Sequence, residues 1–465
     1  MSLTFGANER ILVIGLGRSG VASADVLCAR GATVYATDEK PASALVDVRA
    51  QIERYGARFV APDELSALAP QLSAAVLSPG VPLTSHVVRC VQAADVPVLS
   101  EVEVAYRLCR APIIAVTGTK GKSTTTELIG HLLRSCGKDV RVGGNIGSPL
   151  IAQVQGIEAD GYVVAEVSSF QLETIRAFRP LVSVILNVTP DHLDRYPSME
   201  EYAEAKMRIF ANQGVHDMFV GDLDDPLLAA LHWRAGTPRL QARQLWYTLG
   251  EHHQSATMFL RGGEIIYAPI TGDPRPQTVL ARSEIPLVGE HNLRNTMAAL
   301  LAALALGCDR ESLRAAVATF RPPAHRLQPV AEIDGVLYVD DSKATNPDAV
   351  LAALRSYRRP IVLIAGGRAK GTAFNELGAA IDARAKAVVL LGEASDEIAS
   401  TITRTPIVRA ATMPEAVSRA RELANPGDVV LLSPACASFD LFTSAEDRGE
   451  QFAAAVRNGE ARAHA

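Results

Sequence analysis

Residues 112–124 read PIIAVTGTKGKST, and this stretch decides the fold. A run of β-branched and apolar residues, Ile113 to Thr117, leads straight into a glycine-bearing loop. The residues after it, from Lys122 onward, suit a helix. A strand that opens through such a loop into a helix N-terminus is a phosphate cradle of an α/β nucleotide-binding domain. Gly118 and Gly121 free the backbone to wrap phosphates, with Thr119, Lys120 and Thr124 completing the loop. Lys122 brings a point charge to the β- and γ-phosphates, and the Ser123 hydroxyl suits Mg²⁺. The longer pattern GxxxxGK[ST] requires glycine at 116, where Val116 stands, so the match is to the shorter GTxGKST form. The expected cofactors are ATP and Mg²⁺.

Working outward, apolar runs at 10–15, 33–38, 74–80, 161–167, 182–188, 360–367, 385–392 and 428–434 read as further strands, with helix-like material between most of them. This alternation predicts an α/β protein with mainly parallel sheets. Arg110-Ala111-Pro112 and Arg321-Pro322-Pro323 punctuate the chain, giving expected domains at 1–110, 111–321 and 322–465. The stretch 236–285 is less regular and reads as a small β excursion in the middle domain.

Two strand ends downstream carry polar groups. Glu166 closes the run 161–167, where a carboxylate suits a metal ion, and His192 follows the run 182–188 in NVTPDHLDRY. Taken singly, either residue reads as structural; two such ends after a phosphate loop point to Mg-nucleotide chemistry. His192 is a candidate base for an attacking amine or a positioner on the metal side. Lys206 sits in a helical segment, 199–206, where a lysine ordinarily faces solvent.

A second glycine loop, Gly15-Leu16-Gly17-Arg18-Ser19-Gly20, follows the first strand, and the next strand ends in Asp38. This satisfies a dinucleotide-binding pattern. An NAD enzyme fits the loop, and so does a Rossmann-like module that binds another diphosphate or no nucleotide at all.

The formal net charge of -5 offers no basic stripe for nucleic acid. No apolar run is long enough to span a bilayer. The N-terminus MSLTFGANER lacks a basic start followed by an apolar run, so no signal peptide is expected. Cys28, Cys90, Cys109, Cys136, Cys308 and Cys436 are scattered without a CxxC pair and read as reduced thiols of a cytoplasmic protein. A monomer acting on small molecules is expected, with neither nucleic acid nor membrane as partner.

Together the motifs GLGRSG (15–20), SPGVP (78–82), TGTKGKST (117–124), GGNIG (143–147), EVSSFQLE (166–173), NVTPDHLDRY (187–196), GEHNLRN (289–295), AHR (324–326), VDDSKATNP (339–347) and LLSPACASFD (431–440) resemble the muramyl ligases, and within them the glutamate-adding branch. The likeness spans nearly the whole chain. It implies three domains: a Rossmann-like domain for a UDP-linked substrate, a central P-loop ATPase domain and a Rossmann-like C-terminal domain for the incoming amino acid. It implies an ATP-dependent amide-forming reaction through an acyl phosphate, with two Mg²⁺ ions. Other amino acids, as in L-glutamate or folylpolyglutamate ligases of the same superfamily, remain the alternative, with an NAD oxidoreductase behind them.

By this resemblance the first glycine loop receives a uridine diphosphate. Arg18, Ser19, Asp38, Gly80 and Asn145 are then candidates for the UDP substrate, with Glu39 and Lys40 beside them. Gly118 to Thr124, Asn292, Asn295, Arg326 and Asp341 surround ATP. Ser123, Glu166, His192 and Lys206 hold metal, Lys206 matching a lysine that is carbamylated in the family. Thr345, Lys370 and Ser438 receive the amino acid. Lys122, His192, Lys206, Arg326 and Lys343 form the catalytic set. One position departs: Ala445 stands where the family usually has an aromatic residue on the glutamate side, which leaves the D or L hand open, with Phe439 and Phe442 nearby.

Overall fold

The structure is a computed structural model that describes residues 3–191, 195–233, 240–251, 254–269, 275–321, 324–369 and 374–463. Three sheets organise it. The first is five-stranded and parallel, in the order Arg58–Phe59, Thr33–Thr37, Arg10–Ile14, Ala74–Leu77, Val98–Ser100. Strand order reverses between Arg10–Ile14 and Ala74–Leu77, the crevice where open α/β sheets receive ligands.

The second sheet has nine strands. Its parallel part runs Arg243–Thr248, Met218–Asp222, Val182–Ile185, Ile113–Thr117, Tyr162–Glu166, Val140–Gly144. The phosphate-loop strand is thus flanked by the two strands whose ends carry Glu166 and Asn187. The stretch 236–285 is β structure as expected, and its described strands belong to this sheet. Its strand Ala256–Arg261 joins Arg243–Thr248 in parallel, and Glu264–Tyr267 and Gln277–Ala281 add antiparallel, extending the same sheet.

The third sheet runs Gln328–Ile333, Val336–Asp340, Val429–Ala435, Ile361–Gly366, Ala385–Leu391, Ile407–Arg409, with only the first pair antiparallel. Its central strand is buried at every position, as a sheet covered on both faces requires.

By compactness the chain divides into two units: Met1–Glu284 with Arg294–Phe320, and Ile285–Leu293 with Arg321–Ala465. The first holds the first two sheets. One apolar core runs from one to the other through helices Arg18–Ala29, Glu101–Leu108 and Leu150–Gln153. Two buried carboxylates pin this junction. Glu103 accepts the backbone N–H groups of Arg176, Ala177 and Phe178 at 2.8–3.0 Å. Glu101 accepts that of Ile151 at 2.6 Å. Each group would be costly to bury without such partners.

Candidate active site

The phosphate loop is held open by glycine and clamped from both sides. Gly118 takes φ 148° and Gly121 φ 85°, the latter capping helix Lys122–Ser135. That helix starts with no acidic residue in its first turn, so its dipole favours an anion at this end. A Cβ on Gly121 would fall 2.2 Å from Asn295 Oδ1, so the side chain of helix Glu290–Ala305 closes directly on the loop. Asn187 braces the other flank: its Oδ1 accepts from Lys120 N at 2.9 Å, its Nδ2 donates to Lys120 O at 3.0 Å. Thr119 Oγ1 donates to Thr189 O and accepts from Thr189 N.

Lys122 Nζ donates to the carbonyls of Gly118 and Thr119, both at 2.9 Å. Lys206, at the end of helix Met199–Met207, is 2% exposed and also donates to Gly118 O, at 3.0 Å. The ordinary solvent-facing reading of this lysine therefore fails. Burial first, and the Lys122 charge second, hold its amine well below the usual lysine range. Its Nζ lies 4.3 Å from the Tyr202 ring centroid.

Glu166 is 2% exposed. Asn145 Nδ2 donates to its Oε1 at 2.9 Å, while Oε2 is buried with no hydrogen-bond partner among the described residues. A buried carboxylate oxygen left unpaired near a phosphate loop fits a hard divalent cation, as do the Ser123 hydroxyl at the helix start and an anionic form of Lys206. His192 lies outside the described residues.

Asn145 also lines a cavity of about 650 Å³ at the switch point of the first sheet. Every residue expected at the UDP substrate lines it: Arg18, Ser19, Asp38, Gly80 and Asn145, with Glu39 and Lys40. Helix Arg18–Ala29 starts here, again with no acidic residue in the first turn and no side-chain cap. Gly20 is required by contact, since a Cβ there would sit 1.9 Å from Gly15 O. Asp38 is spent inward: Oδ2 accepts from Leu16 N at 2.7 Å and Oδ1 from Lys40 N at 2.9 Å. The carboxylate that a nicotinamide enzyme would turn to a ribose here shapes the loop instead. Arg18 bridges to the middle domain through Gly147 O at 3.2 Å.

The second unit gathers another group. Arg326 is bracketed by two non-glycine residues at positive φ, His325 at 63° and Leu327 at 43°, a strained placement of the kind kept at functional sites. His325 Nδ1 lies 2.7 Å from Asp340 Oδ2. Asp341 is 6% exposed, and burial pushes its carboxyl up to about 7 against the hydrogen bond from Ser433 at 2.8 Å. Asn292 donates to Val288 O at 2.7 Å. Lys343 Nζ lies 3.3 Å from Glu446. Thr345 follows on the same loop, its N–H donating to Lys343 O at 3.0 Å, and Ser438 is buried in the loop after strand Val429–Ala435. Lys370 lies outside the described residues. Of the two phenylalanines near Ala445, Phe442 packs into the core, while Phe439 is 65% exposed.

Sequence reasoning missed Arg448, a fully buried guanidinium that joins the Ser342 and Cys436–Ala437 segments. It also missed His325 as a partner of Asp340. In sequence, an arginine among acidic neighbours at a helix start reads as a solvated residue.

Three family models match the chain: the Mur ligase MurD-like N-terminal domain over 9–100, the Mur ligase middle domain over 116–303, and the Mur ligase glutamate ligase domain over 325–436. A UDP-N-acetylmuramoylalanine–D-glutamate ligase of Pelotomaculum thermopropionicum is 45% identical over 454 residues, 96% of each chain. The protein of the same name from Geobacter metallireducens is 42% identical over 97% of each. Among solved structures, the UDP-N-acetylmuramate-alanine ligase MurC of Thermotoga maritima shares the fold, with a TM-score of 0.60 at 19% identity over 97% of this chain and 99% of that one. These matches meet the phosphate loop, the buried lysine and the switch-point cavity in one chain, which belongs to the Mur ligase family.

Proposed function

We propose that this protein is an ATP-dependent ligase joining the alanine carboxylate of UDP-N-acetylmuramoyl-L-alanine to the amine of D-glutamate, in the synthesis of peptidoglycan precursors. The observation that carries the reading is Asn145, which lines the switch-point cavity and hydrogen-bonds the buried Glu166 beside the phosphate loop. A diphosphate-linked substrate in that cavity would therefore adjoin the phosphate-transfer residues.

A carboxylate at neutral pH is a poor electrophile. Transfer of the ATP γ-phosphoryl group to the alanine carboxylate gives an acyl phosphate and ADP. The glutamate amine then attacks the carbonyl carbon, a proton leaves the nitrogen, and the tetrahedral intermediate expels phosphate. Bringing a carboxylate against a triphosphate sets two anions together, and that repulsion is the main barrier. Lys122 and the N–H groups at the start of its helix offset it. Magnesium, for which we assign Ser123, Glu166, His192 and a carbamylated Lys206 as ligands, would supply further positive charge. Carbamylation suits Lys206 because a buried amine kept neutral is nucleophilic toward CO₂. We assign Asn292, Asn295, Arg326 and Asp341 to the nucleotide. Lys343, Thr345, Lys370 and Ser438 we assign to the glutamate.

The hand of the glutamate follows the relatives' printed substrate, despite Ala445. The reaction belongs in the cytoplasm, where ATP is supplied and thiols stay reduced. No helix among the described residues is long and apolar enough to cross a membrane.

The test is phosphate release from ATP with UDP-N-acetylmuramoyl-L-alanine and either enantiomer of glutamate. Release with D-glutamate alone is expected. Release with L-glutamate at the same rate, or with neither, would overturn the reading.

A further inference from the structure

The start of helix Ala445–Ala463 is a hub for segments that lie far apart in sequence. Arg448 is 1% exposed. Its Nε donates to Ser342 Oγ at 2.9 Å, Nη2 to Ser342 O at 2.8 Å, and Nη1 to the carbonyls of Cys436 and Ala437 at 3.2 and 3.4 Å. All these acceptors are carbonyl or hydroxyl oxygens; none is a carboxylate. Ser342 Oγ donates onward to Ala445 O at 2.7 Å. Glu446 pairs with Lys343. Behind them Gly449 is packed so closely that a Cβ would fall 2.1 Å from His325 Nδ1. Ser342 adjoins Lys343, and Ala437 adjoins Ser438. A single guanidinium therefore ties the loop of Lys343 and Thr345 to the loop of Ser438.

Such a group is costly. Removing a guanidinium from water without a carboxylate partner opposes folding unless every donor is satisfied. Burial holds Arg448 down to about 10, so it keeps its charge at neutral pH. A solvated lysine or an apolar residue would fold at lower cost, and the fork geometry of arginine is what lets one residue reach two loops. Of the residues that we assign to the nucleotide, the carboxylate of Asp341 is held separately, by Ser433 and by the N–H of Leu327.

We infer that Arg448 is the positioning residue of the incoming amino acid: it fixes the spacing of Lys343, Thr345 and Ser438 and adds a buried positive charge toward which an anionic substrate is drawn. This rests on the ligase reading above. Ala445 enters the same clamp through its backbone carbonyl, which any residue at that position would supply.

The test is steady-state kinetics of the full chain with all three substrates varied, for the wild type, Arg448→Lys and Ser342→Ala. Lysine keeps the charge but cannot reach both loops. The KM for glutamate is expected to rise about tenfold in Arg448→Lys and about threefold in Ser342→Ala, with the KM values for ATP and the UDP substrate within about twofold of wild type. If Arg448→Lys fails to fold, Ser342→Ala, which removes both hydrogen bonds of the hydroxyl and no charge, decides alone. An unchanged KM for glutamate, or an equal rise for all three substrates, overturns the clamp. A wild type that uses another amino acid overturns the substrate reading instead, and the clamp is then read on the KM for that amino acid.

Discussion

The side-chain nitrogens of Lys122 and Lys206 converge on one acceptor, the carbonyl oxygen of Gly118, at 2.9 and 3.0 Å. One lysine belongs to the phosphate loop and also donates to Thr119 O. The other is buried and pressed toward neutrality by burial and by the first. This asymmetry gives two like residues different chemistry.

Lys206 should therefore cost stability in CO₂-free buffer. Its folded pKa lies below the value of about 10.4 for an unfolded lysine. The unfolded chain thus binds the extra proton, and stability rises with pH across the window between the two values. Lys206→Met should melt at a higher Tm than the wild type at neutral pH, with the gap shrinking toward pH 10, and should lose at least about 100-fold in activity. Melting curves across that range check this; a gap that widens with pH contradicts it.

Asn145→Ala should leave Glu166 without its orienting amide. The Mg²⁺ concentration for half-maximal rate is expected to rise at least about tenfold, the scale for residues that orient metal ligands. The KM for the UDP substrate should rise as well, because Asn145 lines that cavity. A magnesium titration that superimposes on the wild type would remove Glu166 from the metal site.

The glycines of the first loop should differ in tolerance. Gly20→Ala meets Gly15 O at 1.9 Å and should destabilise by about 3 kcal/mol or more. Gly17 has φ -74° and nothing within 4 Å of an added Cβ, so Gly17→Ala should stay within about 1 kcal/mol. Denaturant melts compare them directly, and equal losses would contradict the packing.

Arg294 pairs with Asp222 and Asp224, each at 2.8 Å, one residue before Asn295 closes on Gly121. Burial nonetheless pushes Asp222 up to about 6. Arg294→Met would strand that carboxylate and should cost about 3 kcal/mol at neutral pH. Because a raised carboxylate pKa means the folded chain binds the proton first, the loss should ease as pH falls through 6 toward 4. The KM for ATP should rise with it. A stability loss independent of pH would locate the effect elsewhere.

The phosphate loop, Glu166 and the first glycine loop were legible because a long apolar strand ending in polar residues is a local signal. Strands Arg58–Phe59, Val98–Ser100 and Val140–Gly144 were not. They are short or glycine-rich, and they form by pairing with neighbours distant in sequence. The strands within 236–285 were visible as β material, but their attachment to the ATPase sheet depends on Arg243–Thr248 pairing with Met218–Asp222. Lys206 reads as a surface residue by pattern alone. Its amine reaches the carbonyl of Gly118, 88 residues away. Arg448 was hidden for the same reason, since Ser342 lies 106 residues before it.

The central claim is that the alanine carboxylate is phosphorylated before the amide forms. UDP-N-acetylmuramoyl-L-alanine carrying oxygen-18 in that carboxylate, turned over with ATP and D-glutamate, reports it directly in the mass of the released phosphate. The account requires one labelled oxygen to appear in the phosphate. Phosphate released without label, while the amide forms, would contradict it.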